Sequence, residues 1–140
     1  MKYDLGFEQN DSFAIFKVSG QPELAGFQEL LDDFLNNPVW QSVKKIMLDF
    51  SELHIGNVES DEVRQFINTQ KATFKKLNKI PIAVVVSCPV DFGVVRMCGT
   101  LAEKMITCYQ VFYTTEDALE WLGPERTIPS TLKILLSVAI

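Results

Sequence analysis

The sequence predicts an α/β domain: a mostly parallel sheet of about five strands joined by crossover helices. Three observations predict it. Short apolar runs alternate along the chain with stretches whose apolar residues recur at three and four, the order expected of crossover units. The run Ile82-Ala83-Val84-Val85-Val86 is apolar at every residue, as a parallel strand covered on both faces must be. Finally, 140 residues with 47% hydrophobic content and ten Phe are enough for one core without metals or disulfides.

The elements follow in order. Tyr3 to Phe7 reads as a short strand, and Gln9-Asn10-Asp11 as the hairpin turn into a longer one, Asp11 to Ser19. Gly20-Gln21-Pro22 ends that strand. Leu24, Phe27, Leu30, Leu31, Phe34 and Leu35 then mark a helix that Asn36-Asn37-Pro38 stops. Val43 to Phe50 is the next strand, with Ile46 and Leu48 on one face and Met47 on the other. A loop, Leu53 to Glu59, leads to a second helix from Ser60 to Leu77 with the stripe Val63, Phe66, Ile67, Gln70, Phe74 and Leu77. Ser60 and Asp61 suit its start, where free N–H groups favour acceptors and anions.

Ile80 to Val86 follows as a strand, and Cys88-Pro89-Val90-Asp91 as a turn. The third helix is expected over Phe92 to Met105, with Val94, Met97, Cys98, Leu101 and Met105 on one side. Gln110 to Tyr113 is the last strand, and Thr114 or Thr115 caps a short helix, Glu116 to Leu122, which Gly123-Pro124 terminates. Trp121 is expected to close this helix on the sheet. Trp40 and Phe7 are candidates to line a pocket on the face opposite the helices. The domain thus covers residues 1–123. Residues 124–140 form an apolar extension, with Leu132, Ile134, Leu135, Leu136, Val138, Ala139 and Ile140. Termini are usually polar, so this one is expected to dock on its own sheet or on a second copy.

The chemistry-bearing residues are few. The one histidine, His54, follows the strand that carries Asp49, and it cannot build a usual zinc site alone. A Cys88/His54 or Ser87/His54 pair is conceivable, because both loops leave the same end of a parallel sheet. There is no Gly-x-Ser-x-Gly elbow and no Gly-rich phosphate loop, so no catalytic set, metal or cofactor is expected. Cys88 lies at a strand end near a helix start, a place that either buries a thiol or activates it. Arg96 sits among apolar residues. It is expected either to pair with Asp49 or Asp91, or to hold an anionic group at the sheet edge. Asp49, His54 and Arg96 are therefore the candidate anion or ligand contacts.

Net charge −5 and a pI near 4.8 argue against sequence-independent nucleic-acid binding, which runs on neutralised phosphates. Lys71, Lys75, Lys76 and Lys79 come nearest to a basic patch and read as a solvated helix face. The odd cysteine count (Cys88, Cys98, Cys108) and the polar opening Met1-Lys2-Tyr3-Asp4 suggest reduced thiols and a cytoplasmic setting. No apolar run reaches the ~18 residues of a membrane span.

Three stretches carry a family resemblance. Ile46-Met47-Leu48-Asp49-Phe50-Ser51 looks like a hydrophobic strand ending in Asp-x-Ser. Phe92-Gly93-Val94-Val95-Arg96-Met97 looks like a characteristic helix start. Val111-Phe112-Tyr113 is followed by Glu116-Asp117-Ala118-Leu119-Glu120-Trp121-Leu122. In this order they resemble the STAS domain (sulfate transporter and anti-sigma-factor antagonist), and more closely the bacterial SpoIIAA-like proteins grouped with it, over Tyr3 to Gly123. The resemblance implies helices mainly on one side of the sheet, kinship with the lipid-carrying CRAL-TRIO fold, and no reaction. It also implies a phosphorylated serine in an Asp-Ser-Ser-Gly loop motif. Here the matching stretch is Ile55-Gly56-Asn57-Val58-Glu59-Ser60, in which Val58 and Glu59 replace the two serines. Ser60, one position later, is either a helix cap or a substitute acceptor whose phosphate a helix N-terminus would favour.

Two functional readings result. One is a non-enzymatic regulatory module that binds a protein partner through Asn57, Glu59, Ser60 and Asp61. The other is a carrier or sensor of a small apolar or amphipathic ligand on the open sheet face. Homodimer formation competes for that same face.

Overall fold

The computed structural model describes residues 1–106 and 108–123; the 124–140 extension lies outside the described residues. Five strands form one sheet in sequential order: β1 (Lys2–Glu8), β2 (Phe13–Gly20), β3 (Lys45–Leu53), β4 (Ile82–Val85) and β5 (Tyr109–Phe112). β1 runs antiparallel to β2, and every other pair is parallel. The hairpin falls where Gln9-Asn10-Asp11 predicts it, and all three residues have positive φ, between 55° and 65°. Asn and Asp tolerate that region better than most residues. Ser12 holds the turn by donating its Oγ–H to the Gln9 carbonyl at 2.7 Å.

The sequential order dictates where the helices go. Each parallel step moves the chain one strand further in the same direction, and right-handed crossovers then place every connecting helix on one face. The connectors are α1 (Leu24–Asn36), the pair α2 (Ser60–Thr69) and α3 (Lys71–Lys76), and α4 (Pro89–Leu101). Together they enclose a core built on Phe16, Val18, Ile46, Val84 and Val111. The last helix, α5 (Thr115–Leu122), follows the final strand and has no crossover to make. It packs on the opposite face, where Ala118 and Leu122 meet Phe13, Met47, Ala83 and Val85.

Several boundaries differ from expectation. The second helix is two: Gln70 (φ −104°, ψ 17°) breaks it between α2 and α3, and is itself buried beneath them. β3 extends to Leu53 and shortens the following loop. The third helix starts at Pro89, because proline at a first helical position loses no hydrogen bond. Its most buried residues are Asp91 and Val95 rather than the Val94/Met97 stripe. A 3₁₀ turn, Pro38–Ser42, follows α1. At α5, the Thr114 hydroxyl accepts from Asp117 N at 3.1 Å, as a cap should.

Two aromatic assignments are corrected. Trp121 is 36% exposed and rests against Phe112 with ring centroids 5.7 Å apart; Ala118 and Leu122 do the closing, because their side chains point at the sheet. Phe7 and Trp40 sit on the helix-covered face. Both rings meet Phe34 of α1, at 6.2 and 6.3 Å. The odd residues of β1 share the pleat side of Ala14 and Phe16 in the paired strand.

Candidate functional site

Two features emerge: a rim at the C-terminal ends of the parallel strands, and an apolar cavity beneath the helices. The rim begins at His54, whose N–H donates to the Gly20 carbonyl at 2.9 Å and ties the loop to β2. The next turn is tight at Gly56. A Cβ there would lie 3.2 Å from Val90 Cγ1 and 3.6 Å from Asp91 Oδ1, so glycine lets the loop seat on the first turn of α4. Asp91 is buried in that turn, where the helix dipole favours a carboxylate.

This seating leaves Asn57, Glu59, Ser60 and Asp61 exposed. Val90, beside them, is 61% exposed. Phe92, two residues further along α4, stacks on Tyr113 at 4.9 Å, and Tyr113 is itself half exposed. The rim is therefore apolar at its centre and acidic on the α2 side, where Glu59, Asp61 and Glu62 cluster. Ser60 is the first residue of α2, not its cap. Glu59 occupies the cap position and makes no side-chain capping bond, because the chain leaves the loop one residue earlier than a serine cap requires.

The candidate contacts Asp49, His54 and Arg96 do not converge. Asp49 is 2% exposed and turned inward in the middle of β3, where its Oδ1 accepts from Ser51 N at 3.0 Å and Ser51 Oγ at 2.6 Å. Alternation along β3 puts Asp49 on the α5 side of the sheet with Met47. Arg96 is exposed on α4 and lines a side cleft of about 410 Å³ with Phe92, Thr100, Glu103 and Gln110. Among the described residues no ion pair joins Arg96 to Asp49 or Asp91. The expected pairing fails because Arg96 is exposed, whereas Asp49 and Asp91 are buried. Among the described residues no hydrogen bond joins the exposed His54 to Ser87 or Cys88. Cys88 is half-buried at the cap position of α4 and makes no capping bond there. The lysines Lys71, Lys75, Lys76 and Lys79 are all exposed.

Sequence reasoning missed the second feature. Between the helix layer and the sheet lies a cavity of about 210 Å³. Four phenylalanines ring it: Phe27 meets Phe50 at 6.0 Å and Phe66 at 5.9 Å, and Phe66 meets Phe74 at 6.0 Å. All four are only half-buried although they belong to core elements. The space is partly open to solvent, and it penetrates between the helix layer and the sheet as far as the buried Ile46 and Ile82. The helix stripes listing Phe27, Phe66 and Phe74 were legible; that they would stand around a gap was not. The cavity lies under α1 to α4, whereas the sheet face opposite is packed by α5.

Among the described polar side chains, only Glu23, Glu62, Cys98 and Tyr109 contribute to its wall. Tyr109 OH is spent on the Val95 carbonyl at 3.0 Å, and burial pushes its phenol well above the usual range. Burial likewise pushes the Cys98 thiol up to about 11. The two glutamates stand exposed at the mouth, between the starts of α1 and α2, beside the 44%-exposed Leu24. The Met1 amino group lies 3.3 Å from Glu23 Oε1. Among the described residues no cluster of His, Cys, Asp or Glu has the arrangement to hold a metal ion, and no helix is long and apolar enough to cross a membrane.

No family model and no curated protein matches the sequence. Solved structures do match the fold. An anti-sigma factor antagonist from Mycobacterium paratuberculosis superposes with a TM-score of 0.56 at 19% identity, covering 86% of this chain and 94% of that one. The anti-sigma factor antagonist SpoIIAA in its unphosphorylated form gives 0.54 at 9% identity, over 86% and 97%. An uncharacterized protein with a SpoIIAA-like fold from Shewanella loihica gives 0.54 at 18%, over 86% and 93%. At these identities the shared property is the fold: this chain has the SpoIIAA-like architecture that its strand and helix motifs resemble.

Proposed function

We propose that the domain is a non-enzymatic interaction module that docks a protein partner on the rim formed by the Gly56 loop, the start of α2 and Val90. The carrying observation is the seating of Gly56 against Val90 and Asp91. It fixes a loop at the strand ends while leaving Asn57, Glu59, Ser60 and Asp61 outward. Binding residues concentrate on loops held by a rigid scaffold, and an apolar centre with a charged border is the usual anatomy of a contact surface. The likeness to anti-sigma factor antagonists supports a regulatory role. The phosphoserine position of that group is occupied here by Val58 and Glu59. The acidic border suits a partner with a basic surface, which it would steer and orient.

Site-specific photo-crosslinking in the native host tests this reading. A photoreactive residue at position 57 is expected to capture a defined protein that position 41, exposed in the 3₁₀ turn, does not. The double reversal Glu59→Lys/Asp61→Lys should reduce that adduct by roughly tenfold or more, as for charges that orient docking. Equal adducts from both positions, or an adduct indifferent to the reversal, would refute the rim as the docking surface.

A further inference from the structure

We propose that the cavity between the helix layer and the sheet is a binding site for a small, uncharged aromatic molecule of one or two rings. Size sets the upper limit. An apolar cavity of roughly 150 Å³ accepts benzene, and this one holds about 210 Å³, room for a substituted ring or two fused rings. Shape and chemistry set the class. Phe27, Phe50, Phe66 and Phe74 surround the space in edge-on and tilted contacts, leaving ring faces and edges for another ring to meet.

Charge decides against an anion. Among the described residues no lysine, arginine or histidine lines the space, and the Tyr109 hydroxyl already donates to the Val95 carbonyl. A carboxylate inside would find no donor, and burying it unpaired is costly. At the mouth it would also pass Glu62, which is exposed on the first turn of α2. Access runs between Leu24 and Glu62, at the starts of α1 and α2. The cavity lies on the opposite side of the sheet from α5, so occupation is readable at positions that the α5 face does not report.

The test uses the full chain with methyl-detected NMR, titrating naphthalene and, in parallel, 1-naphthoate, the same ring system with a carboxylate. Naphthalene is expected to shift the methyls of Ile55, Ile67 and Ile82, which line the cavity, and to leave Ile15, on the α5 face, in place. 1-Naphthoate is expected to bind at least roughly tenfold more weakly, the discrimination a buried unpaired group provides. Val94→Phe fills the space from α4 and should weaken naphthalene by a similar factor. Glu62→Gln, an exposed change that leaves the core untouched, should improve 1-naphthoate by about threefold and leave naphthalene unchanged; it stands as the second variant if Val94→Phe does not fold. No shift with naphthalene, shifts at Ile15 rather than at the cavity isoleucines, equal affinity for the naphthoate, or binding untouched in a folded Val94→Phe protein would each overturn the proposal.

Discussion

The two faces of the sheet are packed by different means. On the α5 face the centre is closed: Phe13, Met47, Ala83 and Ala118 are fully buried and Val85 is 2% exposed. On the connector face large rings are used, and four of them stop short of closing. The difference teaches that side-chain volume does not guarantee density. Alanine and valine let α5 approach the sheet closely. Phenylalanines on α1, α2 and α3 contact one another and Phe50 of β3 around the cavity rather than filling it.

The largest expected effect lies where the connector face does close. Phe34 is 1% exposed and meets the rings of Phe7, Phe16 and Trp40. Phe34→Ala should cost about 3–5 kcal/mol, the range for a large buried ring whose neighbours cannot collapse. The midpoint of urea unfolding, at constant slope, measures it. A loss near 1 kcal/mol would mean that the whole connector face yields, and the contrast between a closed end and an open middle would disappear.

A paired insertion sharpens the contrast. Ala118→Leu forces extra volume into the α5 face and should cost about 1–3 kcal/mol. Val94→Leu adds volume beside the cavity and should cost less than about 0.5 kcal/mol, because the space for it exists. Equal losses at the two positions, by the same urea measurement, would show that the faces do not differ in density.

Much of this architecture was legible in the sequence, for identifiable reasons. The Ile82–Val86 run declared a covered strand because no polar residue interrupts it, and both faces of β4 are buried. The Gln9-Asn10-Asp11 turn was readable because its left-handed backbone favours Asn and Asp. The break at Gln70 was not, since a stripe at helical spacing passes through it unbroken and only the packing of α3 bends the chain. Trp121 misled because size suggests burial, whereas direction on α5 decides it. In the site, the exposure of Asn57 and Glu59 goes with the loop and that of Ser60 and Asp61 with the first turn of α2. The separation of Asp49, His54 and Arg96 depended on which face each side chain takes, which spacing along different elements does not report.

The smallest expected effect concerns the cavity wall itself. Burial raises the Cys98 thiol from its usual 9 to about 11. The folded protein therefore holds this proton more tightly than the unfolded chain. Below pH 9 both states carry it and stability is unaffected. As pH rises from about 9 to about 11 the unfolded chain releases it first, so Cys98 contributes a loss of stability across that window. Wild type should fall more steeply there than Cys98→Ala, by the difference between their urea midpoints at each pH. Reactivity follows the same cause. At mildly alkaline pH a shift of this size lowers the thiolate fraction roughly a hundredfold, so a thiol reagent should label exposed Cys108 well before Cys98. Peptide mass spectrometry reads the order. Labelling of Cys98 as fast as Cys108 would mean that water and reagent reach the wall freely. The middle of the connector face would then be an open groove rather than a cavity that burial controls.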